Sequence, residues 1–218
     1  MGEGHHSATD SASTKVEFTF NFDKFLACVQ YFAFKNVEQL DKYKISKLLF
    51  LADKYHLVKY GRPIIGDRYC AIEHGPVPSQ SLDLLNDFSK KSWVSLRLSG
   101  RSTPVPADRR LRQMFESLEL DEKFTYPPFK TKKPPHLKFL SKSDIKALDL
   151  TIERYGDKSF SELKAITHSM MAYKKAFGNP QGNEMDYKDF FEEDTESIKG
   201  AYEQMLENDA IRRSFSPR

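Results

Sequence analysis

Residues 45–88 read ISKLLFLADKYHLVKYGRPIIGDRYCAIEHGPVPSQSLDLLNDF, and the succession of patterns in them decides the fold class. Ile45, Leu48, Leu49, Ala52, Tyr55 and His56 recur at helical spacing. Asp41 ahead of them is suited to accept from the free amides of a first turn, and Gly61 behind them is suited to end the helix. Ile64–Gly66 turns the chain, and Arg68–His74 has the composition of a strand. Gly75-Pro76-Val77-Pro78 then predicts a defined corner, because proline lacks the amide that a central strand needs. Ser79 follows as a cap for a helix through about Phe88, with Leu82 and Leu85 inward.

On the N-terminal side, Val16, Phe18 and Phe20 alternate with polar residues and predict a short strand. Asn21 caps a helix to about Phe34, whose Phe22, Phe25, Leu26, Val29, Phe32 and Ala33 form one apolar stripe. On the C-terminal side, Trp93–Leu98 alternates and is expected to pair with Arg68–His74 in a small antiparallel sheet. Ser99–Pro106 reads as a loop and Arg109–Leu118 as a short helix. Tyr126–His136 holds two Pro-Pro pairs and is expected to be an irregular surface connector. Ser141 with Asp144, and Ser159 with Glu162, fit capping boxes; the helices they head run to Gly156 and through Thr167. Ser169–Phe177 reads as one more helical stretch, stopped by Gly178-Asn179-Pro180.

The expected fold is α+β, predominantly α-helical with a small antiparallel β-sheet or hairpin. Three parts are expected: a flexible leader over residues 1–15, one domain over 16–180 and an acidic amphipathic helical tail over 181–218. The tail earns its helix from Phe190, Phe191, Ile198, Ala201, Tyr202, Met205 and Leu206. With 39% hydrophobic residues, 17 Phe and 10 Tyr, the chain has material for a packed core. Its net charge of +3 is too small to imply nucleic acid, yet the charges are segregated. Lys90–Lys146 carries +8 and Glu184–Asp209 carries −8, either a solvated arrangement, an internal pairing, or two faces for partners.

Several classes drop out. No run of about 18 apolar residues predicts a membrane-spanning helix, and Met1–Thr14 has no apolar stretch of the kind a secretory signal needs. Cys28 and Cys70 lack CxxC spacing and read as reduced, buried thiols of a cytoplasmic protein. No dinucleotide fingerprint, P-loop, zinc-protease or nucleophile-elbow motif occurs, so no cofactor or metal is expected. Lys130, Lys132, Lys133, Lys138 and Lys142 lie near Tyr126, Phe129 and Phe139, but without a DNA- or RNA-reading pattern, and DNA binding is not expected.

Lys47–Asp53, His56, Tyr60-Gly61-Arg62-Pro63, Gly66-Asp67, Tyr69, Ala71 and His74-Gly75-Pro76-Val77-Pro78-Ser79 resemble the core signature of the Panacea-domain family, also described as SocA-like antitoxins and GepA-like phage-associated proteins. A second block, Leu140-Ser141, Asp144, Ala147-Leu148-Asp149, Tyr155-Gly156, Ser159, Glu162-Leu163 and Thr167-His168, is similar to it as well. Two departures are His74, where an aromatic or another residue stands in many relatives, and Ser169–Tyr173, where relatives often show an acidic-Pro-Ala-Trp pattern. The resemblance implies a bacterial or phage-borne cytoplasmic antitoxin, not an enzyme, that neutralises a cognate toxin by direct protein binding. One branch of the family implies an ATP-dependent protease as a further partner, to which the toxin is delivered.

Asp53 and His56 are three apart and therefore neighbours on one helix face. With His74 they form either an acid/base or metal constellation, as in a hydrolase, or a buried hydrogen-bond set in which Asp53 pairs with Arg62 or caps nearby amides; the second is preferred. Tyr60, Arg62 and Tyr69 suit a partner surface or a core edge equally, and the proline corner holds its neighbours rigidly. The candidate partner-binding residues are Asp53, His56, Tyr60, Arg62, Pro63, Asp67, Tyr69, His74, Pro76, Val77 and Pro78, with none assigned a catalytic role. His168 is expected to bond the last carbonyls of its helix.

Overall fold

Helix α2 (Lys42–Tyr60) runs through the centre of the molecule, and every residue from Lys44 to Asp53 is buried. The computed structural model describes residues 15–90, 108–192 and 196–214. Around α2 pack α5 (Lys142–Tyr155), α6 (Phe160–Ser169), α8 (Glu196–Ser214), α3 (Ser79–Ser89) and a hairpin of β1 (Tyr69–Ile72) and β2 (Gly75–Pro78). Helices α1 (Phe22–Phe34), α4 (Arg109–Ser117) and α7 (Met171–Phe177), with a second hairpin of β3 (Leu118–Leu120) and β4 (Phe129–Thr131), complete an α+β fold that is mostly helical. No helix among the described residues is long and apolar enough to cross a membrane.

The helix punctuation follows the local chemistry. Asn21 accepts from the Lys24 amide and Asp41 from the Lys44 amide, while Gly61 ends α2 at φ +68°. Both capping boxes form, Ser141 with Asp144 and Ser159 with Glu162. Ser79 does not cap α3. It is the first residue of the helix, and the acceptor comes from a distance: the Asp67 carboxylate takes the Gln80 amide at 3.0 Å and the Ser81 amide at 2.7 Å.

The proline tetrapeptide is itself a strand, contrary to the corner expected of it. In the register Tyr69 faces Pro78 and Ala71 faces Pro76. The Ala71 amide and Tyr69 carbonyl point away from β2, to the Asn183 carbonyl at 2.7 Å and the Met185 amide at 2.9 Å. Both prolines therefore occupy positions where β1 asks for no amide, and the missing donors cost nothing. Glu73 and His74 make the turn. The strand expected at Trp93–Leu98 lies outside the described residues. Val16–Phe20 joins no ladder, contrary to the strand expected there; the Thr19 carbonyl passes so close to Gly66 that a Cβ there would lie 2.8 Å from it. The connector around Pro127-Pro128 is partly regular, since Phe129–Thr131 pairs with Leu118–Leu120, and the Phe129 amide reaches the Leu40 carbonyl at 2.8 Å.

Two apolar clusters share α2 as their wall. One gathers Phe25, Phe32, Leu48, Leu85, Met114 and Leu148; the other gathers Phe50, Tyr69, Leu163, Tyr173, Phe190 and Met205. The second draws in the segment around Met185–Phe190 and the helix α8. A Cβ on Gly61 would meet the Ala201 carbonyl at 2.8 Å, so α8 rests directly on the end of α2. Part of the acidic charge is met nearby: Asp189 pairs with Lys175, Glu192 with Lys54, and Asp209 with Arg212 and Arg213.

Candidate partner-binding surface

Asp53 sits wholly inside and holds the loop after α2. Its carboxylate accepts from the Ile64 amide at 2.8 Å, the Ile65 amide at 3.0 Å and the Tyr69 hydroxyl at 3.0 Å. Burial pushes its pKa up to about 7 against the pull of these donors. Of the two structural readings for Asp53, amide capping is the one realised; Arg62 goes elsewhere.

His56 is the hub of a second set. Its Nδ1 lies 2.7 Å from the Arg62 carbonyl, which only accepts, so the ring proton sits on Nδ1. Its Nε2 lies 3.0 Å from the Ser143 hydroxyl and 3.1 Å from Asp144 Oδ1. Burial lowers the His56 pKa, favouring the neutral ring. Asp144 is buried too, which raises its pKa, but the Lys24 ammonium at 2.6 Å, the Ser141 amide and the Arg62 guanidinium at 3.3 Å outweigh burial and hold the carboxyl below its usual range. This knot ties α1, α2 and α5 together. The sequence marks Asp144 as a capping residue and a member of the second motif block, and gives Lys24 no signal.

Asp53, His56 and His74 share no hydrogen bond. Asp53 bonds the Ile64–Tyr69 segment and His56 bonds Arg62 and α5, while the His74 ring meets Phe160 at 6.1 Å. Of the candidate partner-binding residues, Asp53, His56, Pro63, Asp67, Tyr69, Pro76, Val77 and Pro78 are buried. Tyr60 and Arg62 are half-buried at the end of α2, and His74 is exposed at the hairpin tip. The motif thus builds a platform from inside and shows the surface little of itself.

The hairpin tip is held from below and behind. Lys47, 1% exposed, donates to the Pro76 carbonyl at 2.8 Å, its one acceptor among the described residues. Burial, with Lys164 nearby, brings the Lys47 pKa down to about 7. The Tyr173 hydroxyl donates to the Ile72 carbonyl at 2.9 Å. Gly75, at φ +96°, leaves no room for a side chain, since a Cβ would lie 2.8 Å from Lys47 Nζ. His168 does not bond its helix end: its ring stacks on Tyr173 at 4.2 Å, and its Nε2 is buried without a described partner.

Beside the tip runs a row of aromatic side chains that the sequence did not announce as a unit. Tyr126 meets Tyr43 at 6.2 Å, Tyr43 meets Phe160 at 6.0 Å, and Phe160 meets His74, each edge to face. Tyr126 is 65% exposed and Phe160 38%. These residues come from a connector, α2, α6 and a hairpin turn, so no single-element pattern could reveal the row. On another face, a cleft of about 480 Å³ between α2 and α5 is floored by Leu51, Val58 and Leu150, with the Lys54–Glu192 pair in its lining.

Compared with known proteins, this combination has a family. The profile described as antitoxin SocA-like, Panacea domain, matches residues 45–174, and the chain belongs to that family. It carries an antitoxin-like domain whose matched span begins in α2 and ends in α7. No curated protein and no solved structure gave a significant match.

Proposed function

We propose that the protein is the antitoxin of a toxin–antitoxin pair and neutralises its toxin by direct, stoichiometric binding. The observation that carries this reading is the match over residues 45–174, joined to the way the matched motif is used. Asp53, Asp67 and His56 hold backbone amides, a helix start and a neighbouring helix, which is work for a rigid platform. Rigid surfaces bind with little ordering cost. Tyr60, Arg62 and His74 offer the motif's own contacts at the surface, and the buried members of the set act through the backbone they position.

Co-expression with the toxin encoded in the adjoining reading frame tests this. The expected result is restored growth and a complex that co-purifies with the toxin intact. Restored growth with rapid loss of toxin, dependent on an ATP-dependent protease, would assign the adaptor role instead. Neither rescue nor complex would remove the antitoxin reading.

A further inference from the structure

One face of the central helix is left open. Leu51, Lys54, Val58 and Lys59 repeat at helical spacing along α2 and, with Leu150 and Arg154 of α5, line the cleft of about 480 Å³. The floor is apolar: Leu51 is buried, Val58 and Leu150 are half-buried, and the Thr151 hydroxyl beside them is spent on the Ala147 carbonyl at 2.8 Å. The middle of the wall is neutral, because Lys54 pairs with Glu192 at 3.0 Å and the same carboxylate oxygen takes the Met171 amide at 2.8 Å. The two ends differ. Lys59 bonds the Tyr55 hydroxyl at 3.3 Å and lies 5.8 Å from the ring centroid of Tyr60, a motif residue left at the surface. Neither Lys59 nor Arg154 pairs with a carboxylate among the described residues, and both are exposed. The helix directions set them apart. The end of α2 meets the start of α5, where Arg62 reaches Ser141 at 3.3 Å and His56 reaches Ser143 at 3.0 Å, so the two helices run past each other in opposite senses. Lys59, late in α2, and Arg154, late in α5, therefore stand at opposite ends of the cleft with the apolar floor between them.

Resting on the antitoxin reading, we propose that this cleft is where the toxin docks, through a segment that carries an apolar side chain between two carboxylates. The apolar group lies on Leu51, Val58 and Leu150, and the carboxylates meet Lys59 and Arg154. Charge complementarity names the occupant: a basic segment would set like charges against both ends, and a neutral one would leave both cations unanswered. Exposed ion pairs are weak singly, so the apolar contact supplies the area and the two charges supply the register. A single-stranded nucleic acid also seeks cations, but its charge is continuous along the strand. Between Lys59 and Arg154 it would meet an apolar floor and a lysine already taken by Glu192.

The test measures the affinity of the full chain for the purified toxin of the adjoining reading frame. Arg154→Glu and Lys59→Glu should each loosen binding about tenfold while the melting temperature holds, since both side chains are exposed. Arg154→Lys should loosen it little, and the loss from charge reversal should shrink in high salt. Val58→Gln, which sets an amide on the apolar floor, should loosen it about fivefold at any salt. Lys174→Glu makes the same charge change on an exposed lysine of α7 outside the cleft and should leave affinity within about twofold. Unchanged affinity in either charge reversal at the cleft overturns the proposal while leaving the antitoxin reading in place. An equal loss in Lys174→Glu does the same, since it would report net charge alone. No binding by the unaltered chain overturns both. A labelled dT20 oligonucleotide bound by the unaltered chain and released by Arg154→Glu would give the cleft to nucleic acid and overturn the proposal.

Discussion

Lys47 and Asp53 lie six residues apart on one helix, and each is buried with no opposite charge among the described residues to neutralise it. Their linkages to folding have opposite signs. Asp53 has a folded pKa of about 7, above the value of about 4 for an unfolded chain, so its contribution to stability is full below about pH 4 and is lost as pH rises through 7. Lys47 has a folded pKa of about 7, below the unfolded value of about 10.4. Its contribution is full above about pH 10 and is lost as pH falls through 7. Near neutrality both charges weigh against the fold. Replacing an uncompensated buried charge by an apolar side chain of similar length commonly stabilises. Lys47→Met should therefore gain about 1–2 kcal/mol at pH 6, with the gain fading towards pH 10. Urea unfolding at pH 6, 8 and 10 reads this, and a variant less stable at every pH would show the bond to the Pro76 carbonyl to outweigh the charge.

Among elements, α3 depends most visibly on a residue outside itself. Its start has no side-chain cap of its own, and Asp67 supplies the acceptor for two amides and, at 2.6 Å, for the Ser81 hydroxyl. A lost cap costs about 1 kcal/mol, and stranded buried donors add about 1–3 kcal/mol. Asp67→Ala should thus lower stability by about 3 kcal/mol, read as a drop in urea midpoint with early amide exchange in α3; Asp67→Asn, which keeps one acceptor, should lose less. Ser79→Ala, were Ser79 the cap, would show the larger loss, and the structure predicts a small one. The sequence placed a cap beside α3 because Ser79 stood in the usual position. Only the folded chain brings Asp67 there from the turn before β1.

At the scale of the whole molecule, α8 packs on α2 and lies tight against the glycine that ends it. Gly61 combines left-handed backbone with a Cβ position 2.8 Å from the Ala201 carbonyl and 2.9 Å from Gln204 Cβ. Gly61→Ala meets both penalties, about 1–2 kcal/mol for the backbone and a displaced helix besides. Hydrogen exchange should show α8 amides opening well ahead of those in α5, and Met205, now fully buried, becoming accessible. Protection of α8 equal to that in the unaltered chain would show that the helix shifts without letting go. In sequence the acidic charge of this region reads as a solvated face, an internal pairing or a face for a partner; in the structure Asp189, Glu192 and Asp209 meet lysines and arginines of the same chain.

The amino-acid sequence by itself determined what depends on near neighbours: the helix caps at Asn21, Asp41, Ser141 and Ser159, the stop at Gly61, the mainly helical α+β class and the family signature from Lys47 to His168. These are contacts across three or four residues, written in one stretch of chain. It misjudged Gly75–Pro78 because whether a proline breaks a strand depends on which way the partner's amides point, and that was settled by Asn183 and Met185, more than a hundred residues downstream. Only the tertiary structure decided that most of the motif faces inward, that His56 bonds Arg62 and Ser143 and not Asp53, and that Tyr126, Tyr43, Phe160 and His74 form one surface. The physical reason is the same in each case: burial and side-chain adjacency are properties of how elements pack, and packing brings together residues that no spacing along the chain relates.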